Sequence, residues 1–183
     1  MAKLLICMAD GCEEIEALTV VDLARRAGLE IDMASIAGKA EVTGSHKIKI
    51  GADKSFKDIN VNDYDGVILP GGMPGTNYLR EDAKVIETVK SFAKNDKLVA
   101  AICAAPTVLG YAGVLEGKNA SCYPGMEEGL TGAKANTNEV NVDGNIITSR
   151  GLGTAIPFAL AIISYFLGEE KATQISDSVV YQL

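Results

Sequence analysis

Leu98-Val99-Ala100-Ala101-Ile102-Cys103-Ala104-Ala105-Pro106 is the stretch on which the fold turns. Five apolar residues in a row, without the polar alternation of a half-exposed strand, read as a parallel strand covered on both faces. Cys103 follows directly, then two alanines and a proline. Proline suits the first turn of a helix, where its missing N–H is not needed, so strand passes into helix with almost no loop. A turn that sharp tolerates only small neighbours, which is the composition of a nucleophile elbow. A thiol placed there faces the helix N-terminus, whose partial positive charge is expected to lower its pKa from an ordinary value of roughly 8.5. Most free cysteines are merely small buried hydrophobes. Position at a strand's carboxyl end is what makes Cys103 a candidate nucleophile.

Outward from this stretch, short apolar runs alternate with helical spacing along the whole chain. Lys3–Ala9 reads as a second buried strand, turned by Asp10-Gly11. A helical pattern runs from Glu14 to Ala27, with Gly28 as its stop. Glu30–Ile36 is the next strand, and Ile48 and Ile50 beside the Gly44-Ser45 turn suggest a small hairpin. Tyr64–Leu69 is a strand ended by Pro70-Gly71-Gly72, and Val85, Ile86, Val89 and Phe92 repeat at helical spacing. Asp143-Gly144, between Glu139–Val142 and Asn145–Thr148, signals another hairpin. Two helices close the chain, one through Ile156, Leu160, Ile163 and Leu167 and one from Glu169 onward. No linker, repeat or low-complexity tract interrupts this order. It describes a single domain over residues 1–183 of the α/β class, a doubly wound parallel sheet sandwiched by helices. Ligands in such folds sit beyond the carboxyl ends of the strands.

Composition narrows the function. Lys+Arg 17 against Asp+Glu 24 gives a net charge of −7, which repels phosphate backbones and anionic lipid, so neither nucleic acid nor membrane is an expected partner. The single histidine, His46, nearly excludes multi-histidine metal sites and limits imidazole catalysis to whatever it can reach. Cys7, Cys12, Cys103 and Cys122 show no CxxC and no disulfide-framework spacing, as expected of reduced thiols in a cytoplasmic protein. The N-terminal apolar run is too short for a signal peptide. Leu98–Leu115 and Gly151–Gly168 are uncharged, but each carries Pro and interior Gly and reads as buried strand followed by buried helix.

Two more strand ends carry candidate chemistry. At 100° per residue, Glu16 falls on the apolar face of its helix with Val20, Leu23 and Ala27, whereas Asp22, Arg25 and Arg26 face solvent. An acid held there is expected to have a raised pKa and to keep its proton. Glu13 and Glu14 are ordinary first-turn acids. Gly71-Gly72, after a buried strand, can aim a backbone N–H at a ligand as an oxyanion hole requires, or can simply be a tight turn. Ser149-Arg150-Gly151-Leu152-Gly153-Thr154 looks superficially like a dinucleotide fingerprint, but Ile156 stands where its third glycine belongs.

Taken together, Gly11–Ala17, Leu69–Gly72, Ala101–Pro106 and Thr148–Thr154 resemble the ThiJ/PfpI superfamily, and within it the DJ-one branch, in order and spacing over nearly the whole chain. The resemblance implies a flavodoxin-like sandwich and a homodimer. It makes Cys103 the oxidisable nucleophile, Glu16 the protonated acid on its sulfur, and the N–H groups of Gly72 and Ala104 the anion pocket. It puts Arg26 near the dimer interface. Tyr123 stands where many relatives carry a histidine close to the nucleophile, so it becomes a pocket residue, and His46 falls where relatives carry an interfacial arginine. Peptidase members have histidine directly after the cysteine. Ala104 in that place disfavours a cysteine peptidase or amidase.

The function so implied is a stress enzyme acting on small α-oxoaldehydes or glycated protein adducts, of the glutathione-independent glyoxalase or deglycase type, with no metal and no cofactor. Its rival is a non-enzymatic redox sensor or chaperone-like dimer in which Cys103 is oxidised to sulfinate beside Glu16.

Overall fold

The computed structural model describes residues 2–181; Met1, Gln182 and Leu183 lie outside the described residues. Its centre is a seven-stranded sheet. In chain order, β1 (Lys3–Met8) leads through α1 (Glu14–Ala27) to β2 (Glu30–Ser35). A separate antiparallel hairpin follows, β3 (Glu41–Thr43) and β4 (Lys49–Gly51), and then β5 (Lys54–Ser55) at the sheet's edge. Next come β6 (Gly66–Leu69), α2 (Gly75–Glu81), α3 (Ala83–Lys94), β7 (Leu98–Ile102) and α4 (Pro106–Ala112). Two short strands, β8 (Asn119–Ala120) and β9 (Lys134–Ala135), form a small parallel ladder of their own. The hairpin β10 (Val140–Asp143) and β11 (Ile146–Ser149) returns to the main sheet, and α5 (Ala155–Leu167) and α6 (Glu169–Ser178) close the chain.

The strand order is β10-β11-β7-β6-β1-β2-β5, with every pairing parallel except β10 with β11. Leaving aside the two-residue edge strand β5 and antiparallel β10, the order of β1, β2, β6, β7 and β11 across the sheet is 2-1-3-4-5, the flavodoxin-like arrangement, with its switch point between β1 and β6. Continuous apolar runs were the sign of strands covered twice, and the two cores bear this out. Leu4, Ile6 and Met8 face one way with Val20, Leu23, Phe158 and Ile162 of α1 and α5. Leu5 and Cys7 face the other, with Val85, Val89, Phe92 and Leu109 of α3 and α4.

Helix α1 keeps the bounds its periodicity predicts. Gly28 ends it in the left-handed region at φ 89°, its N–H returning to the carbonyls of Ala24 and Arg25. The charge-free segments resolve inside the domain. Leu98–Leu115 is β7, the elbow and α4, whereas Gly151–Gly168 opens on a 3-10 turn, Leu152–Thr154, and not on a strand. No helix among the described residues is long and apolar enough to cross a membrane. The second hairpin lies one residue later than its sequence suggests, because Gly144 and Asn145 supply the two-residue turn. Helix α2 had no apolar periodicity to announce it.

Candidate active site

Three connections from the carboxyl edge meet beside the switch point: the one after β1 brings Cys12 to Glu16, the one after β6 brings Gly71 and Gly72, and the one after β7 brings Cys103. Cys103 has φ +66°, a left-handed backbone that a non-glycine residue rarely adopts. The strain is held from two sides. Its N–H donates to the Ser149 carbonyl of β11 at 3.0 Å, and its carbonyl accepts from the Tyr123 N–H at 2.7 Å. A strained residue between strand and helix, over-determined by its neighbours, is the elbow that the small residues after Cys103 predict.

Glu16 is buried to 1% exposure, on the apolar face where its helical position places it. Its Oε2 accepts from the Gly71 N–H at 3.0 Å. Burial pushes its pKa up to about 7, against the pull of hydrogen bonds from Cys103 and Gly71, with the charge of Glu13 adding to the rise. Near neutrality this carboxyl is therefore poised between its two forms. The absence of a side chain at Gly71 is what lets acid and thiol meet. A Cβ there would stand 2.5 Å from Cys103 Cβ, 2.7 Å from Glu16 Oε2 and 3.0 Å from the sulfur.

The thiol corrects one expectation. Burial, together with the charge and hydrogen bond of an ionised Glu16, pushes Cys103 up to about 12, although the N–H groups of Ala104 and Gly72 donate to the sulfur and pull the other way. The helix N-terminus alone does not make a thiolate. Burial disfavours a thiolate here, and an ionised Glu16 disfavours it further, because two negative charges would then stand side by side. Gly72 reaches the sulfur through its own φ of +90°, with its α-carbon packed on the backbone of Cys12 and Glu13.

Thus Cys103, Glu16, Gly72 and Ala104 come together as the sequence suggests, and Tyr123 joins them by its backbone while its ring lies half exposed. Sequence reasoning set aside the segment after β11, and it belongs here. Thr154 Oγ1 accepts the N–H groups of Arg150 (3.3 Å) and Gly151 (3.1 Å) and pairs with Ser149 Oγ at 2.6 Å, a knot that carries Gly151 against the Glu16 carboxyl. The serine and threonine flanking two glycines were the available signal. A groove of about 480 Å³ between α5 and α6 lies apart, and none of these residues lines it.

His46 sits in the turn of the first hairpin and belongs to a different network. Its Nδ1 is 3.0 Å from Glu14 Oε2 and 3.3 Å from Glu13 Oε2, and its N–H donates to Glu14 Oε1 at 2.7 Å. Burial would raise the Glu14 pKa, but the His46 ring and backbone N–H bonds outweigh it and draw it down to about 2. The histidine is raised in return. Among the described residues, Glu13, Glu14 and His46 are the one group whose side chains gather closely enough for a metal ion, and neither Cys103 nor Glu16 is part of it.

A buried acid and a half-buried thiol on a strained elbow, at the switch point of a flavodoxin-like sheet, define a cysteine-elbow α/β protein. The model of the DJ-1/PfpI family matches residues 2–165, and the chain belongs to that family. It is 38% identical over 178 residues to protein dj-1beta of Drosophila melanogaster, covering 96% of this chain and 95% of that one. It is also 38% identical to protein DJ-1 homolog B of Arabidopsis thaliana over 97% of this chain, but spans only 41% of that longer protein. Among solved structures, oxidized Toxoplasma gondii DJ-1 superposes with a TM-score of 0.95 at 35% identity, over 100% of both chains.

Proposed function

We propose that this chain is a cysteine-dependent stress enzyme that converts small α-oxoaldehydes, or the early adducts they form with protein, into 2-hydroxy acids without metal or glutathione. The observation that carries this reading is the meeting of buried Glu16 with half-buried Cys103 on its strained elbow, the two side chains converging on Gly71. The Cys103 thiol passes its proton to Glu16 as the sulfur attacks the aldehyde carbon, and Glu16 hands that proton to the carbonyl oxygen, giving a hemithioacetal and leaving Glu16 a carboxylate. The Gly72 and Ala104 N–H groups steady the charge that develops on the way. Glu16, now a carboxylate, removes the proton from the former aldehyde carbon and returns it to the neighbouring carbon, while the hemithioacetal hydroxyl proton passes to the neighbouring oxygen. The product is a 2-hydroxyacyl thioester on Cys103, which water cleaves to the hydroxy acid and the free thiol. With no imidazole beside the pair, turnover is modest.

A second reading has its own support. Among the four free cysteines, Cys103 alone is not buried, and the related Toxoplasma protein is described in an oxidized form. Peroxide would add two oxygens to the Cys103 sulfur in two steps, each releasing water, and the protonated Glu16 would donate to the resulting sulfinate. In both readings the working unit is a homodimer. Support for this is the surface groove that runs from Leu18 and Leu23 past Arg26, whose guanidinium pairs with Asp22 at 2.7 Å, to Ile156 and Val179. Lactate formed from methylglyoxal without glutathione separates the two readings. The enzymatic one requires wild type to exceed Cys103→Ala, and equal yields end it.

A further inference from the structure

A shallow pocket of about 320 Å³ opens beside the acid and thiol, lined by Tyr123, Pro124, Arg150, Leu152 and the backbone of Gly151 and Gly153. Two of its lining residues adjoin the site. The Tyr123 N–H holds the Cys103 carbonyl, and Gly151 bridges the two regions. A Cβ on Gly151 would lie 3.6 Å from the Tyr123 ring and 4.0 Å from Glu16 Oε1.

Tyr123 is 51% exposed and Leu152 is 52% exposed, so two large side chains of the same recess stand open to water. Arg150 supplies the wall's one charged side chain. The floor is fixed, because the Thr154 hydroxyl holds the backbone of Arg150 and Gly151 in place. An apolar recess with a rigid floor, opening next to a nucleophile, fits the part of a substrate that does not react.

We propose that Tyr123 and Leu152 are specificity-determining residues, and that this pocket selects α-oxoaldehydes whose second substituent is apolar and larger than methyl, an aryl group above all. This rests on the enzymatic reading of Cys103 and Glu16 and extends it to the substrate class. The aldehyde carbon lies at the sulfur, and the substituent on the neighbouring carbonyl carbon extends past Gly151, which lies between Glu16 and the Tyr123 ring. An aryl ring there covers the Tyr123 face and the Leu152 side chain. A methyl group covers neither.

The test compares kcat/KM for phenylglyoxal and methylglyoxal in wild type, Tyr123→Ala and Leu152→Ala. Leu152→Ala is expected to lower the phenylglyoxal value roughly three- to tenfold, the size of a lost aliphatic contact, and to leave methylglyoxal within about twofold, whereas Tyr123→Ala is expected to lower the phenylglyoxal value at least roughly threefold more than the methylglyoxal value. Equal losses on both substrates, or none on either, overturn the proposal. Alkylation of Cys103 by N-phenyl iodoacetamide and by iodoacetamide, followed by mass spectrometry, reads the same pocket without turnover. A rate ratio favouring the aryl reagent, and falling in Tyr123→Ala, supports the pocket even if no lactate forms and the enzymatic reading fails. A ratio unchanged by the substitution removes the pocket whatever the turnover.

Discussion

Gly71→Ala probes the contact between thiol and acid with a single methyl group. Gly71 lies outside the left-handed region, so alanine meets no backbone penalty and the effect is steric. The new Cβ would arrive 2.5 Å from Cys103 Cβ and 2.7 Å from Glu16 Oε2, about 1 Å inside the ordinary separation of roughly 3.5–4.0 Å between carbon atoms. Neither neighbour yields easily: Cys103 is clamped to Ser149 and Tyr123, and Glu16 is buried. Overpacking of this kind costs about 1–3 kcal/mol. In a domain of this size that lowers Tm by roughly 2–12 °C, so the variant still folds. Displacing reacting groups by about 1 Å is far more damaging to chemistry, about a hundredfold in rate. The assay pairs a thermal melt with lactate production from methylglyoxal, with Gly51→Ala as control, since a Cβ there meets nothing within 4 Å. Wild-type lactate production by Gly71→Ala, with Tm lowered as expected, would refute the claim that these two side chains must touch to react.

Three other outcomes follow from the same structure. Glu16 binds its proton more tightly folded than unfolded, with its pKa raised from 4.5 to about 7, so the folded state holds the extra proton between those values. Its contribution to stability is therefore present below about pH 4.5 and lost as pH rises through 7, by about 3 kcal/mol, and Glu16→Gln should flatten that slope in Tm measured against pH. Glu16→Leu removes the carboxylate whose charge and hydrogen bond raise the Cys103 pKa, so Cys103 alkylation at pH 7 should speed up; slower alkylation would mean that Glu16 acts on the sulfur mainly as a proton donor. Phe158→Ala, at a residue with 0% exposure between α5 and the sheet, should cost about 3–5 kcal/mol, read as a fall in Tm while the rate at low temperature is kept.

Much of this site was legible in the sequence because its determinants are local. Glu16 could be placed by helical spacing alone, since α1 is regular from Glu14 to Ala27. The small residues around Cys103 announced a sharp turn, and the structure supplies its φ of +66°. What escaped depends on contacts distant along the chain. The thiol's pKa is governed by burial and by an acid 87 residues away in sequence, and no local pattern encodes that coupling. The Ser149–Thr154 knot is made by hydroxyls gripping backbone N–H groups, which the sequence shows only as two polar residues flanking glycines. Helix α2 has too few buried positions, with only Gly75, Thr76 and Leu79 inside, to leave a periodic trace.

The covalent relay from Cys103 to Glu16 is tested most directly by trapping its acyl intermediate. Protein mixed with methylglyoxal and quenched in hydroxylamine should release lactohydroxamate, near one equivalent at most, from wild type and none from Cys103→Ala or Glu16→Gln. Lactate accumulating with no trappable acyl group, or an undiminished yield from Glu16→Gln, would contradict the account.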